Sequence, residues 1–257
     1  MPDNLSNLRV LVTRPAHQAE NLIRLLGQEG AISILLPLLQ ISAVDEKHHG
    51  FHTIKQHIMD LDLFQHVIFI SPNAANFGGE WIDQYWPQLP YKVSWYAIGQ
   101  KTAQALNNYG IDAYHSPLGY DSEALLACPD LQQISGERVL IIRGVGGRSA
   151  LGDELSARGA EVVYAELYER HCPKYENADI VKSLSPAPDV ILISSGEGLN
   201  NLNLLVQQAG LSIESLKGCH IIVPSERVKD IAWNMGFKNI TTATGPDDQA
   251  VLDTLKQ

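Results

Sequence analysis

The sequence lacks the features that mark several large classes of protein. No apolar run reaches the roughly 18 residues that a membrane-spanning helix needs, and residues 1–7 lack the basic, apolar and small-residue order of a signal peptide. We therefore expect a cytoplasmic protein without membrane contact. The three cysteines, Cys128, Cys172 and Cys219, form no C-x-x-C pair, so we expect reduced thiols rather than a disulfide framework.

Positive charge is also scarce. The chain has 19 Lys and Arg residues against 29 Asp and Glu residues, which gives a formal net charge of -10. Proteins that bind nucleic acids gain affinity by releasing counterions from a basic surface, so this composition argues against a nucleic-acid partner. A small anionic ligand stays compatible, because the field within one site can oppose the net charge.

The motifs of common catalytic sites are missing too, since the sequence contains no G-x-S-x-G, H-E-x-x-H or G-K-[ST]. Residues 143–149 imitate a dinucleotide-binding turn, but Ser149 stands where the third glycine is required. We interpret this turn as a close backbone approach to an anionic ligand and expect neither a cofactor nor a metal. Four histidines without metal-ligand spacing are interpreted as a solvated helix edge: His48, His49, His52 and His57.

What the sequence does contain is an internal repeat. Residues 9–14, Arg-Val-Leu-Val-Thr-Arg, resemble residues 138–143, Arg-Val-Leu-Ile-Ile-Arg. With small gaps, the similarity continues between two further pairs of segments, 67–71 with 190–194 and 97–102 with 222–227. A repeat of this length predicts the duplication of a whole α/β unit.

Short apolar runs rich in Val and Ile alternate with amphipathic stretches. The runs predict buried parallel strands at 8–13, 32–38, 66–70, 93–98, 111–115, 138–142, 161–168, 189–193, 219–223 and 239–243. The amphipathic stretches predict helices at 15–29, 73–85, 99–109, 147–158, 197–209 and 225–235. This alternation predicts an α/β fold of two similar doubly wound parallel-sheet domains.

Hydroxyl groups, glycines and cations collect at the carboxyl ends of the predicted strands. Open parallel sheets bind ligands there, and helix N-termini attract anions. The serines are equally compatible with plain N-caps, and each arginine with an ion pair, so the residues alone leave both interpretations open. The predicted substrate-binding residues are Arg14, Ser71, Asn73, Gly99, Lys101, Thr102, Arg143, Arg148, Ser194, Ser195, Ser225 and Arg227.

Eight short motifs follow one another along the chain: Thr13-Arg14-Pro15, Ser71-Pro72-Asn73-Ala74, Ala97-Ile98-Gly99-x-x-Thr102-Ala103, Ser122-Glu123-Ala124-Leu125-Leu126, Arg143-Gly144-x-Gly146-Gly147-Arg148, Tyr168-Glu169-Arg170, Ser194-Ser195-Gly196 and Pro224-Ser225-Glu226-Arg227. Their order and spacing, over about residues 8–252, resemble those of the uroporphyrinogen-III synthase family. The resemblance implies a cofactor-free lyase of tetrapyrrole and haem biosynthesis. The substrate that the resemblance implies is hydroxymethylbilane, a linear polycarboxylate that would lose water and close through a spiro intermediate with inversion of the terminal ring.

The resemblance also implies an interlocked arrangement of domains. One domain comprises 1–38 and 171–257, the other comprises 41–168, and the interdomain strands lie near 35–41 and 166–172. Because Arg227 stands where the first copy has Thr102, we expect two inequivalent copies and one ligand that spans both. Tyr168 is implied as the general acid or orienting donor, with a packing tyrosine as the alternative. We expect a monomer, with transient contact to hydroxymethylbilane synthase.

Two other functions stay open at this point. One is a non-catalytic, two-lobed anion-binding protein that resembles a solute-binding protein, and the missing signal peptide argues against it. The other is a nucleotide-dependent α/β enzyme, and the incomplete glycine motif argues against that one.

Overall fold

The chain packs into two units in the computed structural model, which describes residues 5–245 and 247–257. The terminal unit comprises Met1–Gln40 and His171–Gln257, and the central unit comprises Ile41–Arg170. The chain therefore passes from one unit to the other twice. Each unit contains a five-stranded sheet.

The strands of the described residues are β1 (Arg9–Val12), β2 (Ile32–Leu35), β3 (Gln40–Ala43), β4 (His66–Phe69), β5 (Ser94–Ala97), β6 (Arg138–Gly144), β7 (Glu161–His171), β8 (Val190–Leu192), β9 (His220–Val223) and β10 (Ile240–Thr242). The helices are α1 (Ala16–Gln28), α2 (Phe51–Met59), α3 (Pro72–Tyr85), α4 (Gln100–Asn107), α5 (Ser122–Leu126), α6 (Ala150–Ala157), α7 (Asn177–Leu184), α8 (Gly196–Gln208), α9 (Glu226–Asn234) and α10 (Asp248–Leu255). No helix within residues 5–245 and 247–257 is both long enough and apolar enough to cross a membrane.

The strand orders confirm the predicted fold class. The sheet of the terminal unit has the order β10-β9-β8-β1-β2, and that of the central unit has the order β3-β7-β6-β4-β5. The pairs β1–β2, β1–β8, β8–β9, β9–β10, β4–β5, β4–β6 and β6–β7 are parallel. Successive strands are added outwards on one side of each sheet and then on the other. This reversal lies between β1 and β8 in the terminal unit and between β4 and β6 in the central unit, as in doubly wound sheets.

The registers show that the two sheets repeat each other. Val10 of β1 lies opposite Val190 of β8, as Val139 of β6 lies opposite His66 of β4. The strands β1, β2, β8 and β9 thus correspond to β6, β7, β4 and β5. In place of β10, the central unit has only an isolated bridge from Tyr114 to Tyr96, so the strand predicted over 111–115 is reduced to this bridge.

The same registers correct the predicted alignment of the two copies by one residue. Since His66 and Val190 are equivalent, Ser71 corresponds to Ser195 and not to Ser194. Both Ser71 and Ser195 are the N-caps of the helices that follow, which supports the corrected alignment.

The correction also removes the predicted difference between the copies. Ser94 of β5 lies opposite His66 of β4, and His220 of β9 lies opposite Val190 of β8. Ser94 and His220 are therefore equivalent. Gly99 therefore corresponds to Ser225, and Lys101 corresponds to Arg227. The expectation that Arg227 takes the place of Thr102 is wrong, and both units carry a cation at this position.

Four helices have no counterpart in the sequence prediction, namely α2, α5, α7 and α10. They span only five to nine residues, which is too few turns for a clear helical periodicity. Strand β7 runs without a break from Glu161 to His171, whereas residues 36–39 lie in no strand.

Helix α3 packs closely in the central unit because it carries two glycines on its buried side. A Cβ atom on Gly79 would lie 2.3 Å from the ring of Tyr109, and one on Gly78 would lie 2.8 Å from Phe69. Gly27 of α1, in contrast, has no other atom within 4 Å of its Cβ direction.

These two environments predict opposite effects of the same substitution. Gly79→Ala should lower the free energy of unfolding by about 1–3 kcal/mol, because overpacking outweighs the gain in helix propensity. Gly27→Ala should raise the free energy of unfolding by roughly 0.5–1 kcal/mol, since only the propensity changes. Urea denaturation of both variants tests the prediction, and stabilisation by Gly79→Ala would contradict the packing described.

His220, at the start of β9, provides a pH-dependent contribution to stability. Its Nε2 atom lies 2.8 Å from Thr241 Oγ1, and burial lowers the pKa of its imidazole. The unfolded chain therefore binds a proton at this site at a higher pH than the folded chain does. Stability should fall as the pH drops from the usual histidine pKa of about 6.5. Thermal unfolding between pH 7.5 and 5 should show a weaker pH dependence in His220→Asn, and an equal dependence in both proteins would exclude this contribution.

Candidate active site

A cavity of about 450 Å³ opens at the carboxyl ends of the strands of the central unit. Its lining includes Ile70 and Ile98, which follow β4 and β5, together with Gly144 at the end of β6 and Tyr168 of β7. The cavity thus spans the point between β4 and β6 where the strand order reverses, which is where doubly wound sheets bind ligands. Its volume lies in the usual range for small-molecule sites.

The cavity is suited to anions despite the negative charge of the whole chain. Three guanidinium groups line it, those of Arg143, Arg148 and Arg170, against the two carboxyl groups of Asp121 and Glu123. Helices α3 and α6 also begin at the cavity, and the partial positive charge of a helix N-terminus adds to the attraction.

Tyr168 reaches its position through an irregularity between β6 and β7. Arg143 lies opposite Glu166, but Gly144 lies opposite Tyr168, so Leu167 is skipped in the pairing. As a result, Leu167 and Tyr168 both pack into the core cluster on the α3 side of the sheet, whereas Tyr164 packs on the other side. A bulge of this kind re-aims the side chains that follow it.

The ring and the hydroxyl group of Tyr168 are both held in place. Tyr168 is only 5% exposed, and its ring stacks on that of Phe77 at 5.3 Å between centroids. The hydroxyl group lies 3.0 Å from Ser71 Oγ, which in turn accepts a hydrogen bond from the backbone N–H of Ala74. Ser71 is therefore both the N-cap of α3 and the partner of Tyr168, so the capping interpretation does not exclude a role in the site.

Arg143 is more deeply buried than a simple ligand-binding arginine would be. Its side chain is engaged by Glu166, by the ring of Tyr164 and by two backbone carbonyl groups. Arg148, in contrast, is exposed at the rim of the same cavity.

The other predicted residues of the central unit do not line this cavity. Asn73 lies in the first turn of α3, Gly99 is the N-cap of α4 with a φ of 80°, and Lys101 is exposed in the first turn of α4. Thr102 is 1% exposed, and its hydroxyl group donates to the carbonyl oxygen of Ile98 at 2.7 Å. Its hydroxyl group therefore stabilises the start of α4.

The predicted residues of the terminal unit lie at the equivalent strand ends. Arg14 forms an ion pair with Asp248 of α10, which is the alternative to ligand binding that the sequence had left open for each arginine. Ser195, which follows Ser194, caps α8 by accepting from the backbone N–H of Gly198 at 3.0 Å. Ser225 is the N-cap residue of α9 but makes no capping bond with its side chain, and Arg227 lies in the first turn of that helix.

Several residues that line the cavity were not predicted as site residues. Ser122, Glu123 and Arg170 belong to the motifs Ser122-Glu123-Ala124-Leu125-Leu126 and Tyr168-Glu169-Arg170, so a signal for them exists in the sequence. Tyr164 and Asp121 had no such signal, because a tyrosine within a strand and an aspartate before a helix are both common structural residues. Among the described residues, no group of three or more His, Cys, Asp or Glu side chains is arranged to hold a metal ion.

Comparison with known proteins identifies the family. The family model described as uroporphyrinogen-III synthase HemD matches residues 20–253. The chain belongs to the uroporphyrinogen-III synthase family. The predicted family and the predicted function, uroporphyrinogen-III synthase of tetrapyrrole biosynthesis, are thereby confirmed.

The relatives match over nearly the whole chain. The uroporphyrinogen-III synthase of Escherichia coli K12 is 32% identical over 254 residues, which cover 97% of this chain and 100% of the relative. That of Salmonella typhimurium is 32% identical over 251 residues, again 97% of this chain and 100% of the relative.

Solved structures agree in fold. A mutant uroporphyrinogen III synthase from the extreme thermophile Thermus thermophilus superimposes with a TM-score of 0.61 at 14% identity, covering 97% of this chain and 98% of the other. The enzyme from Helicobacter pylori 26695 gives a TM-score of 0.60 at 14% identity, with the same coverage.

The contact between Gly144 and Tyr168 gives a testable prediction. A Cβ atom on Gly144 would lie 2.5 Å from Cε2 of Tyr168, so Gly144→Ala should lower the free energy of unfolding by about 1–3 kcal/mol. Tyr168→Leu removes the crowded ring atoms, and in that background the cost of Gly144→Ala should fall by at least half. Denaturant titrations of the four proteins measure the coupling, and equal costs in both backgrounds would show that the ring does not occupy this space.

Proposed function

We propose that the chain is a carbon–oxygen lyase that converts hydroxymethylbilane into uroporphyrinogen III in the central-unit cavity. The single observation that carries this proposal is the Tyr168 hydroxyl group, which is fixed by Ser71 within a cavity lined by guanidinium groups. A proton donor and anion-binding groups are what the loss of water from a polycarboxylate requires.

Tyr168 is the proposed proton donor. The bond between the hydroxymethyl carbon and its oxygen breaks, and the oxygen leaves as water with the proton of Tyr168. The cationic end of the substrate is then attacked by the carbon of the terminal pyrrole that already carries its methylene bridge, which forms the spiro intermediate. The bond between that carbon and the bridge then breaks. The bridge carbon, now cationic, bonds to the other α-carbon of the same pyrrole, which inverts the ring and closes the macrocycle. The closing ring loses a proton at the end of the reaction, and this proton restores Tyr168, so the enzyme is unchanged and one water is released.

The rest of the task is positioning. A cavity of about 450 Å³ holds a ligand of drug size, so we assign it to the terminal pyrrole rings rather than to the whole tetrapyrrole. Arg148 and Arg170 line the cavity and suit acetate and propionate groups, because guanidinium binds carboxylates through two parallel hydrogen bonds. Catalysis can then rest on orientation, since the substrate closes unaided to the wrong isomer.

The strand ends of the terminal unit are proposed to bind further carboxylates of the substrate. Ser195 is supported by its equivalence to Ser71, which lines the cavity. Ser225 and Arg227 are supported by their place at the N-terminus of α9, which follows β9. We also propose a cytoplasmic monomer, with transient contact to hydroxymethylbilane synthase supported by the instability of the linear substrate.

Tyr168→Phe tests the proposed donor. The ring and its stacking on Phe77 are retained, so the variant should fold and lose about 0.5–1.5 kcal/mol at most with the hydrogen bond to Ser71. The rate of type III product formation should fall by roughly 10²-fold or more, as expected for a lost acid catalyst. The assay supplies hydroxymethylbilane made in situ and separates the type I and type III porphyrins after oxidation.

Tyr96→Phe serves as the matched control. Tyr96 is a buried tyrosine of β5 that does not line the cavity, so its loss of a hydroxyl group should leave the rate unchanged. Unchanged turnover in Tyr168→Phe would reject Tyr168 as the donor. Only type I product from the unaltered protein would reject the whole proposal and favour a non-catalytic anion-binding protein.

A further inference from the structure

Arg143 occupies the end of β6, where its guanidinium group is buried and is engaged by several protein groups. Nε donates to the carbonyl oxygen of Gly144 at 3.3 Å and lies 3.5 Å from Oε1 of Glu166. Nη1 donates to the carbonyl oxygen of Arg148 at 3.1 Å. The residue is 5% exposed, so little of its surface is open to a substrate carboxylate.

The packing around this guanidinium group fixes its orientation. Its central carbon lies 4.8 Å from the ring centroid of Tyr164. On Gly147, a Cβ atom would lie only 2.6 Å from Nη2 of Arg143. The guanidinium group therefore packs against the ring of Tyr164 on one side. It also packs against the backbone of Gly147, where any larger residue would clash with it.

The two carbonyl groups that Arg143 binds belong to the two ends of one glycine-rich turn. This turn, residues 144–148, includes Gly146 with a φ of 70° and leads into α6. A turn rich in glycine has many accessible conformations, so external contacts are needed to hold it in one of them. Arg143 supplies a contact at each end of the turn.

Arg148 is the residue whose position depends on this turn. Its side chain lines the cavity and is exposed. Within the part of the chain that the structure describes, its guanidinium group has no ion pair or hydrogen bond. Arg148 thus offers its donors to a new anionic partner from an exposed position, whereas Arg143 is buried and bonded to the turn.

We propose that Arg143 is a positioning residue, which folds the glycine-rich turn and so holds Arg148 where it binds a carboxylate of the substrate. This inference rests on the proposed function of the cavity and divides roles between two arginines that the sequence presents as alike. The equivalent arginine of the terminal unit, Arg14, is also occupied by a protein carboxylate, that of Asp248. In both copies, then, the arginine at the carboxyl end of the equivalent strand, β1 or β6, pairs with a protein carboxylate.

A double-mutant cycle of Arg143→Lys and Arg148→Ala tests the proposal. Lysine keeps the charge but cannot bond both ends of the turn from one planar group. Arg148→Ala should raise KM about tenfold or more, the usual effect of losing a charge-assisted hydrogen bond. Arg143→Lys should raise KM several-fold in the unaltered protein, with a smaller change in kcat, and less than about twofold when Arg148 is already absent.

Arg138→Lys is a closely matched control. Arg138 begins the same strand, pairs with Glu161 of β7 at 3.5 Å and stacks on Phe64 at 4.5 Å, but it does not line the cavity. It should change thermal stability without changing KM. All assays are run well below the lowest unfolding temperature in the set, so that a merely structural effect of Arg143→Lys would leave KM unchanged.

The outcomes separate this proposal from the proposed function. If Arg143→Lys multiplies KM by the same factor with and without Arg148, Arg143 binds a carboxylate of its own and the proposal is overturned. An unchanged KM in Arg143→Lys, alongside a raised KM in Arg148→Ala, overturns it as well. If the unaltered protein forms no type III product, the proposed function fails. The double-mutant cycle is then measured by the Kd for uroporphyrin III, an octacarboxylate, in place of KM. Failure of the unaltered protein to bind that porphyrin would overturn both.

Discussion

The parallel pairing of β6 with its neighbours β4 and β7 determines where every group of the candidate site lies. Parallel strands end at the same edge of a sheet, so Ser71, Gly144 and Tyr168 meet there although up to 97 residues separate them. Helices α3 and α6 must start at that edge because they follow β4 and β6. Hydroxyl groups, backbone N–H groups and guanidinium groups are thereby collected in one cavity of a chain whose net charge is -10.

The skipped residue in β7 adds a second constraint. Along a regular strand, Tyr164 and Tyr168 would point to the same face. Because Leu167 has no partner on β6, Tyr168 turns instead to the face of α3, where Ser71 and Phe77 receive it. Gly144 completes the arrangement, since the ring lies where any larger residue would place its Cβ atom. Tyr168 thus approaches the cavity from the α3 side of the sheet, and Arg143, which lies against Tyr164, approaches it from the other side.

Much of this could be predicted from the sequence, and the limits have physical causes. The Val- and Ile-rich runs predicted both sheets, and the strand ends predicted Ser71, Arg143 and Arg148 as cavity residues, because both signals are local. The alignment of Ser71 with Ser194 was one residue off, since apolar strands of similar composition match almost equally well in neighbouring registers. The partners of Arg143 lie on β7 and in the following turn, and the bulge at Leu167 depends on the pairing of two strands. Neither the partners of Arg143 nor the bulge can be recognised from the local sequence, because both depend on contacts between distant segments.

The division of the terminal unit into two segments has a consequence for the order in which the protein is made. Strand β1 lies between β2, which follows it closely, and β8, whose bonded residues come 180 positions further along the chain. The ribosome therefore releases the first 40 residues long before half of their sheet exists. The central unit is continuous from Ile41 to Arg170, and all of its strands emerge while β1 still has one open edge. During synthesis this apolar edge is a place where a nascent chain can pair wrongly or recruit a chaperone.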